Sequence, residues 1–145
     1  MVLREADLHD VGELAHMLLE MTKEFYPNRE LSGAESFETC IKHWILSPSF
    51  FVFVTEKDGE ITGFMAFVLD DNFGLTQTVL NVIATYIKPK FRGSRNILVF
   101  QNFAVNFADK MKMNLYTSAR LERASLSIKS GAVVQSVNLE RSFNG

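Results

Sequence analysis

The sequence predicts one mixed α/β (α+β) domain with its elements in the order βααβββαβαβ. Three observations predict it. The apolar pattern repeats at helical spacing over the first third of the chain, then gives way to short runs rich in Phe, Val and Ile. An Asp-Gly pair stands between two of those runs, the strongest short-range signal for a hairpin. Finally, the long β-branched run 76–88 leads through a helical stripe into a short strand, the pattern of a right-handed parallel crossover.

The elements follow in order. Residues 2–5 form a short first strand. Asp7 is placed to cap a helix, with Asp10 in its first turn, and Val11, Leu14, Ala15, Leu18 and Phe25 fall on one stripe. Pro27-Asn28 breaks that helix. A second helix spans 34–46 with Phe37, Cys40, Ile41, Trp44 and Ile45 inward, and Ser47-Pro48-Ser49 ends it. Strands at 50–56 and 61–69 flank the turn Lys57-Asp58-Gly59-Glu60, and Gly63 interrupts the second of them. Residues 70–74 read as a loop and 76–88 as a central strand stopped by Pro89. Ile97, Phe100, Ala104, Phe107, Ala108 and Met111 make an amphipathic stripe. A strand at 114–118, a helix through Leu121, Ala124, Ser125 and Ile128 ended by Gly131, and a last strand at 133–139 complete the chain.

Bulk properties narrow the function classes. With 145 residues, 47% apolar and 22% charged, the chain has the size and make-up of a single globular domain, 1–145. Thirteen Phe residues predict an aromatic-rich core. A net charge of −2 supplies no global positive field, so neither nucleic acid nor a membrane surface is an expected partner. The single cysteine, Cys40, forms no intrachain disulfide, and its helical neighbours make it a small buried hydrophobe. No apolar run approaches the ~18 residues of a membrane span, and acids occupy the N-terminus where a signal peptide needs apolar residues. The expected location is cytoplasmic.

The chemistry concentrates where the long strand meets its helix. Lys88, Lys90, Arg92 and Arg95 put four cations into eight residues without an acid among them, and Gly93-Ser94 makes the bend small. A helix N-terminus follows, with unpaired N–H groups and the positive end of the helix dipole. Such a junction suits a phosphate or pyrophosphate. The same residues also suit an exposed, solvated turn, and local features alone do not separate the two.

The order of these features resembles the GNAT superfamily of N-acetyltransferases. That family has a strand ending in Val-x-Pro, then Arg/Gln-x-x-Gly-x-Gly/Ala opening a helix. Here the residues are Ile87-Lys88-Pro89, then Arg92-Gly93-Ser94-Arg95-Asn96-Ile97. Leu3-Arg4-Glu5-Ala6-Asp7 is similar to the family's opening strand and cap, and residues 56–64 to its hairpin with the strand Gly. Ser127-Ile128-Lys129-Ser130-Gly131-Ala132 stands where the family has Tyr-x-Lys-x-Gly-Phe. The resemblance covers nearly the whole chain. It implies a splayed central sheet flanked by helices, with acetyl-CoA as co-substrate wedged between the strand at 76–88 and the strand at 114–118. Backbone groups at Tyr86 and Ile87 would meet the pantetheine arm. Arg92, Gly93, Ser94, Arg95, Asn96 and Ile97 would hold the pyrophosphate. The implied reaction is direct acetyl transfer to an amine acceptor, a small molecule or a protein amine. The resemblance leaves a homodimer open. Small, divergent members also occur in bacteriophages, which this chain resembles, and the host cytoplasm would then be its location.

The sequence departs from the family in two places. Arg95 and Ile97 stand where it prefers Gly and Gly/Ala, so a Cβ either obstructs the phosphate or, at Arg95, is compensated by the guanidinium. The strand at 76–86 carries no carboxylate or histidine to serve as base, and Ser127 occupies the place of the family's acidic Tyr. Ser127 and Tyr116 are the residues left to serve the leaving thiolate, and an ordered water can relay a proton. These departures favour an alternative, a catalytically inactive GNAT-like binding or interaction module. A third reading, a phosphate-ligand binder unrelated to acyl transfer, rests on the cationic loop alone.

Other candidates have bland readings. His9, His16 and His43 lack a chelating spacing, and no metal site is expected. Asp70 and Asp71 could face an amine, but a solvated loop explains them. Glu20, Glu24, Tyr26 and Glu35 bracket the link between the first two helices, which in the resembled family helps form the acceptor site.

Overall fold

A computed structural model of the chain describes residues 1–71, 78–113, 115–118, 133–135 and 138–141. Two compact units are distinguished: Met1–Ala66 with Ala84–Phe91, and Phe67–Ile83 with Arg92–Gly145.

The first unit begins with β1 (Val2–Glu5) and a single 3-10 turn, Leu8–Asp10, leading into α1 (Val11–Phe25). Asp7 and Asp10 form a reciprocal capping box. The Asp7 side chain accepts from the His9 amide at 2.8 Å, and the Asp10 carboxylate accepts from the Asp7 amide at 2.9 Å. Arg4 on β1 locks this corner, donating to both oxygens of Asp10 at 2.8 Å and to Glu56 at 2.7 Å. Val11, Leu14, Ala15, Met17 and Leu18 are buried, as the 3.6-residue period demands. Phe25, assigned to the same stripe, is instead 45% exposed. It is the last residue of the helix, one turn beyond the partly buried Met21, so the helix outruns the core it packs on.

The second helix, α2 (Ala34–Leu46), spans the predicted residues; Ile41 is fully buried, and Phe37, Cys40, Trp44 and Ile45 pack partly buried against the core. Strand β2 (Phe50–Lys57) and strand β3 (Glu60–Asp71) follow. Asp58 and Gly59 have φ of 52° and 79°, the left-handed pair of a type I′ turn that matches strand twist. The β3 strand runs two residues past its predicted end, so Asp70 and Asp71 close a strand rather than open a loop. In this unit the strand order is β1-β2-β3-β4, with β4 spanning Thr78–Ile87 and β1 antiparallel to β2. The Thr55 and Thr62 hydroxyls, both buried, satisfy each other at 2.7 Å.

In the second unit the order continues β3-β4-β5-β7-β6, with β5 at Leu115–Ser118, β6 at Val133–Gln135 and β7 at Asn138–Arg141. The crossover is parallel as predicted: α3 (Ser94–Met111) connects β4 to β5, which pair in parallel register. Phe100, Ala104 and Ala108 are buried. Phe67 on β3 packs on Phe107 and Phe103 with ring centroids 5.3 Å and 6.2 Å away, and those two rings stack at 5.6 Å. The single strand expected at 133–139 is a hairpin, with Val134 opposite Leu139 and Gln135 opposite Asn138. No Gly or Pro marks that reversal in the sequence; the pairing of β7 with β5 decides it. The helix predicted through Leu121 and Ile128 lies outside the described residues.

Candidate functional site

The parallel pair β4 and β5 is the first part of the site. Leu80 stands opposite Leu115, Asn81 opposite Tyr116 and Val82 opposite Thr117. Among the described residues the ladder ends there, while β4 runs five residues further, to Ile87. Ile83, the first residue past the ladder, is 37% exposed. Tyr86 and Ile87 are both buried, and the Tyr86 ring lies 6.4 Å from that of Phe64.

The second part is the cationic stretch that follows, and its lysines are committed elsewhere. The Lys88 amide donates to Thr62 O at 2.9 Å. Its ammonium pairs with Glu13 of α1 at 2.5 Å and Glu60 of β3 at 3.5 Å. Burial opposes the Lys88 charge most strongly, but hydrogen bonding and attraction to Glu13, then Glu60, together hold it above the usual lysine range. Lys90 pairs with Glu60 at 3.0 Å and lies 5.0 Å over the Phe91 ring. That hydrogen bond chiefly pushes the Glu60 carboxyl down. Pro89–Phe91 form one 3-10 turn.

The third part is the start of α3. Gly93 caps it in an extended conformation, φ −177°, and a Cβ there would meet nothing within 4 Å. The Ile97 amide donates to Gly93 O at 3.2 Å, the first hydrogen bond of the helix. Ile97 is thereby withdrawn from the donors that an anion could use, and the amides of Ser94, Arg95 and Asn96 precede that first bond. No acid occurs in the first turn. Arg92 and Arg95 are exposed, and Arg95 makes no ion pair among the described residues. Both Arg95 and Ile97 have ordinary helical backbone, because the positive-φ non-glycine residues described are Asp58 and Lys112. Replacing glycine at these positions has cost no backbone strain.

The remaining candidates divide. Tyr116 lies on β5 between Asn81 of β4 and Glu140 of β7 in register. Ser127 lies outside the described residues. Cys40 is half-buried and burial pushes its thiol up, which suits a packing role and not a nucleophile. His9, His16 and His43 are exposed, and no group of potential metal ligands occurs among the described residues. Glu20 pairs with Lys23 at 3.4 Å, and Arg29 lies 5.1 Å over the Tyr26 ring. Glu24 and Glu35 are exposed.

No protein-family model matches the sequence, and no curated protein matches it. Solved structures do match. A predicted acetyltransferase from Clostridium acetobutylicum, crystallised with acetyl-CoA, superposes with a TM-score of 0.77 at 14% identity, covering 93% of this chain and 91% of that one. A ribosomal-protein-alanine N-acetyltransferase from Brucella melitensis matches at 0.69 and 15% identity over 93% and 92% of the two chains. An aminoglycoside 6′-N-acetyltransferase from Acinetobacter haemolyticus gives 0.69 and 12% over 94% and 92%. The chain has the GNAT acetyltransferase fold. The GNAT fold accounts for the parallel step through α3 and for the β6–β7 hairpin that the sequence hid. Two features of this chain carried no legible signal: the carboxylates that hold Lys88 and Lys90, and the Asn81–Tyr116–Glu140 register. Each joins residues far apart in sequence, which only the tertiary fold brings together.

Proposed function

We propose that the chain is an acetyl-CoA-dependent N-acetyltransferase passing the acetyl group directly to an amine, without a covalent enzyme intermediate. The observation that carries this reading is the start of α3, where the Gly93-Ser94 bend leads into a first turn without an acid on the parallel crossover from β4 to β5. An amide-bearing pantetheine arm can pair with the backbone of a strand. The α3 N-terminus supports a diphosphate through the amides of Ser94, Arg95 and Asn96 and the guanidinium groups of Arg92 and Arg95. The solved neighbour containing acetyl-CoA and the two neighbours named as N-acetyltransferases agree with this use of the fold. Tyr116 is the residue we assign to protonate the leaving thiolate, because a phenol can donate to a thiolate as that group forms.

A second reading is a GNAT-like module that binds without turnover. It is favoured by β4 itself, where Thr78–Ile87 holds no carboxylate and no imidazole. Calorimetric titration with acetyl-CoA, paired with thiol release in the presence of amines, separates the two. Binding with release supports the enzyme. Binding without release supports the module. No binding removes both and leaves only the fold.

A further inference from the structure

One carboxylate, distant in sequence, takes hold of both lysines that precede α3. The Lys90 ammonium lies 3.0 Å from Glu60 Oε1 and donates to Oε2 at 3.3 Å, and the Lys88 ammonium lies 3.5 Å from the same Oε1. Lys88 is fixed at two further points, through its ammonium to Glu13 and through its amide to Thr62 O at 2.9 Å. Glu60 opens β3 and Thr62 follows two residues later, so the start of one strand grips the chain as it leaves β4. Between the two lysines the backbone turns, with the Phe91 amide donating to Lys88 O at 2.9 Å, and the Lys90 ammonium lies 5.0 Å over the Phe91 ring. Residues 88–91 are therefore held through both backbone and side chains. From Phe91 the chain passes directly to Arg92 and, through Gly93, into the first turn of α3. Gly93 is exposed, and a Cβ there would meet nothing within 4 Å, so packing at Gly93 does not fix this bend.

We propose that Glu60 is a positioning residue for the anion site at the start of α3. By holding Lys88 and Lys90 together it keeps the turn at 88–91 in one shape, and that turn leads the chain to Arg92 and to the amides of Ser94, Arg95 and Asn96. The inference rests on the acetyltransferase reading and adds to it a residue that acts through two lysines rather than on acetyl-CoA itself. The physical gain is preorganisation: a junction ordered before the ligand arrives need not be ordered on binding. The sign of the effect separates this role from plain charge. An acid among cations weakens their pull on a diphosphate, so by charge alone removing Glu60 would tighten binding. Removing a positioning residue weakens it.

The test uses the full chain and acetyl-CoA, with calorimetry for binding, thiol release to benzylamine for turnover, and amide hydrogen exchange of the ligand-free protein. E60Q is expected to raise the Kd for acetyl-CoA about fivefold, the size that two partly exposed ion pairs supply together. The KM for acetyl-CoA should rise with it while kcat stays within about twofold, a split that simple loss of folded protein does not produce. E60D, which keeps the charge, is expected to recover part of the affinity. In a K90A background E60Q should cost less than in wild type, because groups in one ion-pair network are not additive. Exchange at the Phe91 amide should quicken severalfold in E60Q, as the turn opens more often. An E60Q protein that binds acetyl-CoA as tightly as wild type, or more tightly, overturns the positioning role and leaves the acetyltransferase reading standing. A lower melting temperature with Kd unchanged overturns it equally, since it shows a stabilising contact only. Wild-type protein that does not bind acetyl-CoA overturns the reading beneath, and the positioning role with it.

Discussion

Arg4 ends on two carboxylates, Asp10 at 2.8 Å and Glu56 at 2.7 Å, whereas Arg95 stands exposed at the start of α3 without an ion pair among the described residues. The two arginines mark the difference between the units. In the first, the cations near the chain's bend are held: Lys88 by Glu13 and Glu60, Lys90 by Glu60. In the second, α3 opens with arginine and without an acid in its first turn. Four cations in eight residues therefore do not make a fourfold positive site. Charge counted along a sequence differs from charge available to a ligand, because carboxylates from distant segments cancel part of it.

The largest expected effect lies at the held end. Asp10 is 7% exposed and accepts from Arg4 and from the Asp7 amide, so D10N leaves a half-buried guanidinium contact and a cap incomplete together. It should destabilise by about 3 kcal/mol, read as a lower urea midpoint. The hydrogen bond from Arg4 is the chief reason that the Asp10 carboxyl is held below its ordinary range. A depressed carboxyl stabilises the fold above its unfolded pKa, about 3.9, and loses that contribution as pH falls through the lower folded value. Acid melting of D10N should be correspondingly less steep than that of wild type between pH 5 and the acid limit of the folded state, in the window about pH 2–5.

At the open end the effects are on binding. R92A should weaken acetyl-CoA about tenfold with little change in melting, the size of one charged hydrogen bond, about 1.4 kcal/mol. R95A should weaken it less, about threefold, and should lessen its salt dependence. R95G sharpens the point: because Arg95 already has helical backbone without strain, removing its Cβ should not tighten binding. Tighter binding by R95G would mean that the side chain obstructs the site. The smallest effect belongs to E13Q. Glu13 and Lys88 form a partly exposed pair, and its loss should cost about 0.5 kcal/mol or less in thermal or urea unfolding. A large E13Q effect would erase the distinction between a buried clamp and a surface pair.

Much of the fold was legible because its signals are local. The Asp7 cap, the 34–46 helix, the Asp58-Gly59 hairpin and the parallel step through α3 each depend on spacing within a short segment. Phe25 and the β6–β7 hairpin were misread for the same reason in reverse. Burial of Phe25 depends on where the rest of the core stops, and the reversal between Gln135 and Asn138 depends on β5 offering a partner to β7. The cationic loop was visible as residue types, but the carboxylates that hold two of its cations were not. Ile97, read as the first residue of the helical stripe, lies within α3, with its amide bonded to Gly93 O.

The sequence by itself determined the elements, the type I′ turn, the small bend after Pro89 and the lack of a carboxylate on β4, since periodicity, turn chemistry and residue identity are properties of neighbours along the chain. Only the tertiary structure decided that Lys88 and Lys90 face carboxylates and that Tyr116 lies between Asn81 and Glu140. The first depends on how α1 and β3 pack beside the end of β4, and the second on strand register, a compromise among all the strands of a sheet that no single segment encodes.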